Sequence, residues 1–127
     1  MLCLDIKGAF DNVSVERLLW ALRTEGFPHW IISYYRSFMT QRKTKIHFPG
    51  STSEWIETKV GIPQGSHLSP ILFLFYIAEL LESLQKPACC YMAFGFVDDT
   101  TLVTWGNSAR KNYLRLEQAH DRFLAWS

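Results

Sequence analysis

Two adjacent carboxylates, Asp98 and Asp99, stand where two apolar, strand-prone stretches meet, in the run Met92-Ala93-Phe94-Gly95-Phe96-Val97-Asp98-Asp99-Thr100-Thr101-Leu102-Val103. That pattern predicts a β-hairpin whose tight turn carries both acids. Asp-Asp before two threonines is a poor turn by residue preference, since turns favour Asp beside Gly or Asn. Neighbouring carboxylates also repel. A divalent cation is the simplest compensation, because Mg2+ takes oxygen ligands and seldom needs a full protein cage. Solvated acidic turns are common, however, so the pair alone decides nothing. A third acid, Asp5, sits near the end of the apolar run Leu2-Cys3-Leu4-Asp5-Ile6, and its neighbours predict that it is at least partly buried. A buried carboxylate needs a partner: Lys7, an arginine, the start of the next helix, or a metal shared with Asp98 and Asp99. The last option closes 93 residues of sequence (98 − 5). Three converging acids can hold two Mg2+ ions about 3.5–4 Å apart, which supports phosphoryl and nucleotidyl transfer. The segment Gly61-Ile62-Pro63-Gln64-Gly65-Ser66-His67-Leu68-Ser69-Pro70 is a glycine-flanked turn entering a helix. Ser69 suits the N-cap and Pro70 the first helical position. Gly61 and Gly65 would let the backbone approach another backbone closely.

The elements that must position these residues follow from periodicity. Residues 1–6 form a first strand, and a helix runs from Val13-Ser14 to about Glu25, with Val15, Leu18, Leu19 and Leu22 on one face and Gly26 as its stop. A second helix carries Ile31, Ile32, Tyr35, Phe38 and Met39. Residues 44–48 and 54–60 read as paired strands around Pro49-Gly50-Ser51. A helix from Pro70 to about Leu84 is apolar on most sides (Ile71, Leu72, Phe75, Leu80, Leu81) and should be buried. Strands near 90–97 and 100–105 form the acidic hairpin, and a last amphipathic helix carries Tyr113, Leu114, Leu116, Ala119 and Phe123. Antiparallel hairpins with helices and no regular βαβ alternation argue an α+β fold with helices on one face of the sheet.

In this order, the three chemical segments resemble the palm of a reverse transcriptase, in particular that of the non-LTR (LINE-like) retrotransposon branch, of the kind abundant in fungi. Residues 4–13 resemble its first palm motif, 61–66 with Leu68-Ser69-Pro70 the second, and 96–99 the third. His67 departs from the branch, which often has proline there. The resemblance implies a ferredoxin-like core in which Asp5, Asp98 and Asp99 are catalytic and bind two Mg2+ ions, with Mn2+ as a substitute and the backbone carbonyl of Ile6 as a further ligand. It places Lys7, Gly8 and Ala9 beside the triphosphate, Phe10 beneath the sugar as a gate against a 2′-hydroxyl, and Gln64 and Gly65 on the nucleotide pocket. Asp11 would be structural, bonding nearby backbone. RNA template, DNA primer and dNTP are the implied partners, with no membrane. Family members carry fingers before the first motif and a thumb after the last. The expectation is therefore one domain over residues 1–127, a palm fragment inactive by itself. The alternative is a non-catalytic retrotransposon remnant serving as an interaction module.

Composition bounds these readings. A hydrophobic share of 48% and an aromatic share of 15% argue a packed globule and exclude a disordered chain. No run approaches the ~20 apolar residues of a membrane span, and no secretory signal is visible. The expected location is intracellular, nucleus or cytoplasm. A net charge of +1 is low for a chain that holds a nucleic-acid duplex by itself. Arg36, Arg42, Lys43 and Lys45 read as a solvated basic face. Cys3, Cys89 and Cys90 read as buried free thiols in a reducing compartment, the four histidines lack ligand spacing, and the tryptophans read as core anchors.

Overall fold

A computed structural model describes residues 1–126 of the 127. In chain order the elements are β1 (Leu2–Leu4), α1 (Val15–Thr24), α2 (His29–Met39), β2 (Arg42–Thr44), β3 (His47–Phe48), β4 (Ser51–Thr52), β5 (Ile56–Thr58), α3 (Leu68–Ser83), a 3-10 turn (Pro87–Cys89), β6 (Tyr91–Phe96), β7 (Asp99–Thr104) and α4 (Ala109–Trp126). The fold is α+β with antiparallel sheets, as the periodicity predicts. No described helix is long and apolar enough to cross a membrane. The chain divides into two compact units, Met1–Ala9 with the stretch from Ile77 onward, and Phe10–Tyr76.

The first unit is built on an antiparallel sheet in the order β1-β7-β6, with Leu4 opposite Thr100, Ala93 opposite Leu102 and Phe96 opposite Asp99. Side chains alternate in direction along a strand, so the pattern sorts itself by face. Tyr91, Ala93, Thr100 and Leu102 are buried, while Phe94 and Phe96 on the other face are 54% and 80% exposed. Helix α4 packs on β6 and β7, with Ala119 and Phe123 buried. The sheet is thus covered on one face and open on the other.

The second unit begins with α1. Ser14 caps it, its Oγ accepting the Arg17 N–H at 3.4 Å, and the leucine spacing buries Leu18, Leu19 and Leu22 completely. Helix α2 packs against α1. The hairpin that follows is not one continuous pair of strands. Thr44 faces Ile56 and His47 faces Thr52, so Lys45 and Ile46 lie opposite the longer run Ser53, Glu54 and Trp55. One extra residue on the return strand splits the ladder into β2–β5 and β3–β4, as a bulge does. Three readings from sequence are corrected here. Ile71 and Leu74 of α3 stay 49% and 47% exposed, although Leu72, Phe73 and Ile77 are buried. Trp20, Trp30, Trp55 and Trp105 are all at least 41% exposed, so they are not core anchors. The cysteines are free but not buried, Cys3 and Cys89 being exposed and Cys90 intermediate.

Candidate functional site

The β6–β7 turn falls one residue earlier than the sequence predicts. Phe96 pairs with Asp99, so only Val97 and Asp98 form the turn and Asp99 opens β7. Val97 takes φ 56, in the left-handed region that β-branched residues avoid. On the neighbouring strand Leu4 pairs with Thr100, so Asp5, the next residue, is carried to the same end of the sheet as Asp99. Contrary to expectation Asp5 is exposed, as is Asp99, while Asp98 is half-buried. Strand alternation explains this: Asp5 shares the open face with exposed Cys3, whatever the apolarity of Leu4 and Ile6. The three acids converge on one sheet end without closing into a cage. Among the described residues no group of three His, Cys, Asp or Glu is placed to hold a metal ion.

The donor chemistry at that end still fits a hard divalent cation. Carboxylate oxygens suit Mg2+ or Mn2+, and the side chains of Asp5, Asp98 and Asp99 have no hydrogen-bond or ion-pair partner among the described residues. The Ile6 carbonyl accepts the Ala9 N–H at 3.0 Å, closing a turn through Lys7 and Gly8. A carbonyl oxygen has two lone pairs, so one remains for a ligand.

In the second unit, residues 61–70 fold against residues 10–13. The Gly61 N–H donates to the Val13 carbonyl at 3.0 Å and the Ile62 N–H to the Phe10 carbonyl at 2.8 Å. Gly61 has φ +80, and a Cβ there would lie 2.7 Å from the Asp11 oxygen and 2.8 Å from the Phe10 oxygen. Only glycine fits on either count. Gly65 differs: φ is +84, but a Cβ would meet nothing within 4 Å, so the close backbone approach expected at both glycines occurs only at Gly61. Helix α3 begins at Leu68, two residues earlier than the proline predicts. Ser69 is therefore inside the first turn, and its Oγ donates to the Pro63 carbonyl at 2.5 Å. Ser66 takes the capping role instead, its Oγ accepting the Leu68 N–H at 3.3 Å.

These contacts shape a cavity of about 520 Å³ walled by Phe10, Gln64 and Gly65 together with Ser66, His67, Ser69 and Pro70. That volume is within the ordinary range for small-molecule sites. The Phe10 ring is half-buried and packs on Phe73, with centroids 5.3 Å apart. Gln64 Nε2 donates to Asp11 Oδ1 at 2.9 Å, so Asp11 orients a side chain rather than bonding nearby backbone. Lys7, Gly8 and Ala9 are not among the cavity walls; they form the turn after β1, and the Ala9 side chain is buried.

Three of the four basic residues, Arg36, Lys43 and Lys45, are exposed, as expected of a solvated face; Arg36 pairs there with Glu16 at 3.4 Å and Lys45 lies 4.4 Å from the centre of the Trp55 ring. Arg42 departs from that reading: it is half-buried and bonds backbone carbonyls. Ser66 and His67 are cavity walls to which the motif reading gives no pocket role, although Ser66 lies within the second motif and His67 marks the departure from the branch pattern.

Comparison with known proteins agrees with this arrangement. The family model for reverse transcriptase (RNA-dependent DNA polymerase) matches residues 1–127. The chain belongs to the reverse transcriptase family. That family works with divalent metal ions on a nucleic-acid template and primer. Its relatives include non-LTR retrotransposon proteins. A retrovirus-related Pol polyprotein from type-1 retrotransposable element R2 of Popillia japonica is 34% identical over 79% of this chain and 18% of its own length. A putative 115 kDa protein in type-1 retrotransposable element R1DM of Drosophila melanogaster is 36% identical over 82% of this chain and 10% of its own. The RNA-directed DNA polymerase from mobile element jockey of Drosophila melanogaster is 26% identical over 98% and 14% respectively. The chain thus spans less than a fifth of the length of these relatives. The fungal affinity expected from the motifs has no support among them.

Proposed function

We propose that this chain carries the palm of an RNA-directed DNA polymerase, which joins a dNTP to a primer 3′-hydroxyl on an RNA template and releases pyrophosphate. The observation that carries the proposal is the cavity whose walls include Phe10, Gln64 and Gly65, all residues of the palm motifs. The Phe10 ring serves as the surface beneath the sugar and leaves no room for a 2′-hydroxyl, which is discrimination by a clash. Gln64 has Nε2 committed to Asp11, which leaves its Oε1 as an acceptor for a sugar or base. Lys7 with the backbone of Gly8 and Ala9 accompanies the triphosphate. Asp5, Asp98, Asp99 and the remaining Ile6 lone pair would hold two Mg2+ ions, for which Mn2+ could substitute. Such ions would supply Lewis acidity that favours deprotonation of the attacking hydroxyl and would offset the charge of the departing pyrophosphate. The substrates place this work inside the cell, in nucleus or cytoplasm.

Each unit is tested by itself by NMR on residues 1–127. Mn2+ should broaden the signals of Asp5, Asp98 and Asp99 first, and Asp98→Asn should weaken that effect. Adding dTTP should shift Gln64 and Gly65, and Phe10→Val should let UTP do the same. Broadening spread evenly over surface acids, with no dTTP shifts at Gln64 and Gly65, overturns the reading.

A further inference from the structure

Arg42 lies outside every motif of the site, yet two of its three guanidinium nitrogens bond backbone carbonyls. Nε–H donates to the Met39 carbonyl at 3.1 Å, and one terminal nitrogen donates to the Val60 carbonyl at 2.9 Å and the Gly61 carbonyl at 2.5 Å. Met39 is the last residue of α2 and 1% exposed, so the fork is anchored on a fixed element. Gln41, at φ 57, turns the chain from that helix into β2 and sets Arg42 at the corner. The Gly61 residue is then held from both sides, its carbonyl by Arg42 and its N–H by Val13. The next residue, Ile62, bonds the Phe10 carbonyl, and Gln64 bonds Asp11. Hydrogen bonds from a charged donor are roughly twice as strong as neutral ones, so this fork is the firmest tie on residues 60–61.

We propose that Arg42 is a positioning residue for the nucleotide cavity: it fixes residues 60–62 against residues 10–13, and so fixes where the Phe10 ring and the Gln64 amide stand, without touching the nucleotide. The proposal rests on the reading of that cavity as a dNTP site. A phosphate-binding arginine would act through charge, which lysine keeps. A positioning arginine acts through a planar fork, and a single ammonium nitrogen does not reproduce it.

The test uses residues 1–127 with Arg42→Lys and Arg42→Met. Amide exchange at Gly61 and Ile62 should speed at least about tenfold in both variants, the size expected for losing a charge-assisted bond, while Leu102 in the other unit is unchanged. The affinity for dTTP, read from Gln64 and Gly65 shifts, should fall about tenfold in both, and the preference for dTTP over UTP should narrow. Should either variant fail to fold, the unsubstituted chain still answers: a held fork gives separate, slowly rotating Nη–H signals for Arg42, and averaged ones overturn the proposal. Exchange unchanged at Gly61 and Ile62, or full recovery of affinity and exchange by lysine, also overturns it. If the unsubstituted chain shows no dTTP shifts, the nucleotide reading fails and the positioning role falls with it, even where exchange shows that Arg42 holds the loop.

Discussion

At the acidic end of the β1-β7-β6 sheet, Asp5 and Asp99 are exposed, Asp98 is half-buried, and none of the three carboxylates bonds another described group. In the loop from Gly61 to Ser69, by contrast, backbone and side chains are tied together: Gly61 to Val13, Ile62 to Phe10, Gln64 to Asp11 and Ser69 to Pro63. The first region keeps its oxygens available for something that is not protein. The second uses its polar groups to hold a shape. Stability and function should therefore separate cleanly between them, since groups without native partners can be removed at little cost to folding.

The largest effect should come where the loop is closed. Gly61→Ala puts a methyl 2.7 Å from the Asp11 oxygen at φ +80, and should cost at least about 3 kcal/mol in urea unfolding. A loss below about 1 kcal/mol would mean the loop is not pressed against residues 10–11. Phe10→Ala should cost about 2 kcal/mol, less than a fully buried ring because Phe10 is also a cavity wall. Thermal melting that shows twice that loss would return Phe10 to the core. Gly65→Ala isolates the backbone contribution, since only its φ of +84 resists a side chain, and should cost about 1 kcal/mol. If it matches Gly61→Ala in a parallel unfolding series, close approach is not what distinguishes the two glycines. In the sheet, Thr100 Oγ1 is buried with no hydrogen-bond partner, so Thr100→Val should be neutral or stabilising by up to about 1 kcal/mol. Any clear destabilisation in the same assay would reveal a partner for that hydroxyl. The smallest effect belongs to the acids: Asp5→Asn, Asp98→Asn and Asp99→Asn, unfolded in EDTA, should each change stability by less than about 0.5 kcal/mol. A larger loss at any of them would make that carboxylate structural and blur the contrast between the regions.

Local signals were legible in the sequence. Ser14, the leucine spacing and Gly26 define α1 because cap, face and stop all lie within one short segment. Along β6 the bulky apolar Phe94 and Phe96 fall on the open face and Ala93 on the covered one, so hydrophobicity alone does not foretell which face is covered. What was illegible depends on distance or on single-residue offsets. Arg42 reaches carbonyls 18 and 19 residues away, and Gln64 reaches Asp11 across 53, so neither bond leaves a local pattern. The hairpin ladder breaks because the return strand has one residue more than its partner, which composition does not reveal. Helix α3 starts early because Ser66 rather than Ser69 caps it, and both are good caps by residue type. Exposure of Asp5 follows from which face it lands on, a matter of register that its apolar neighbours conceal.

Val97 holds a conformation that glycine or asparagine would occupy with less strain, at the tip between Phe96 and Asp99. A non-glycine residue there stores about 1–3 kcal/mol, which the pairing of β6 with β7 must offset. Selection for folding alone would favour glycine or asparagine at this tip. The hairpin tip is thus a place where this sequence does not maximise its own stability.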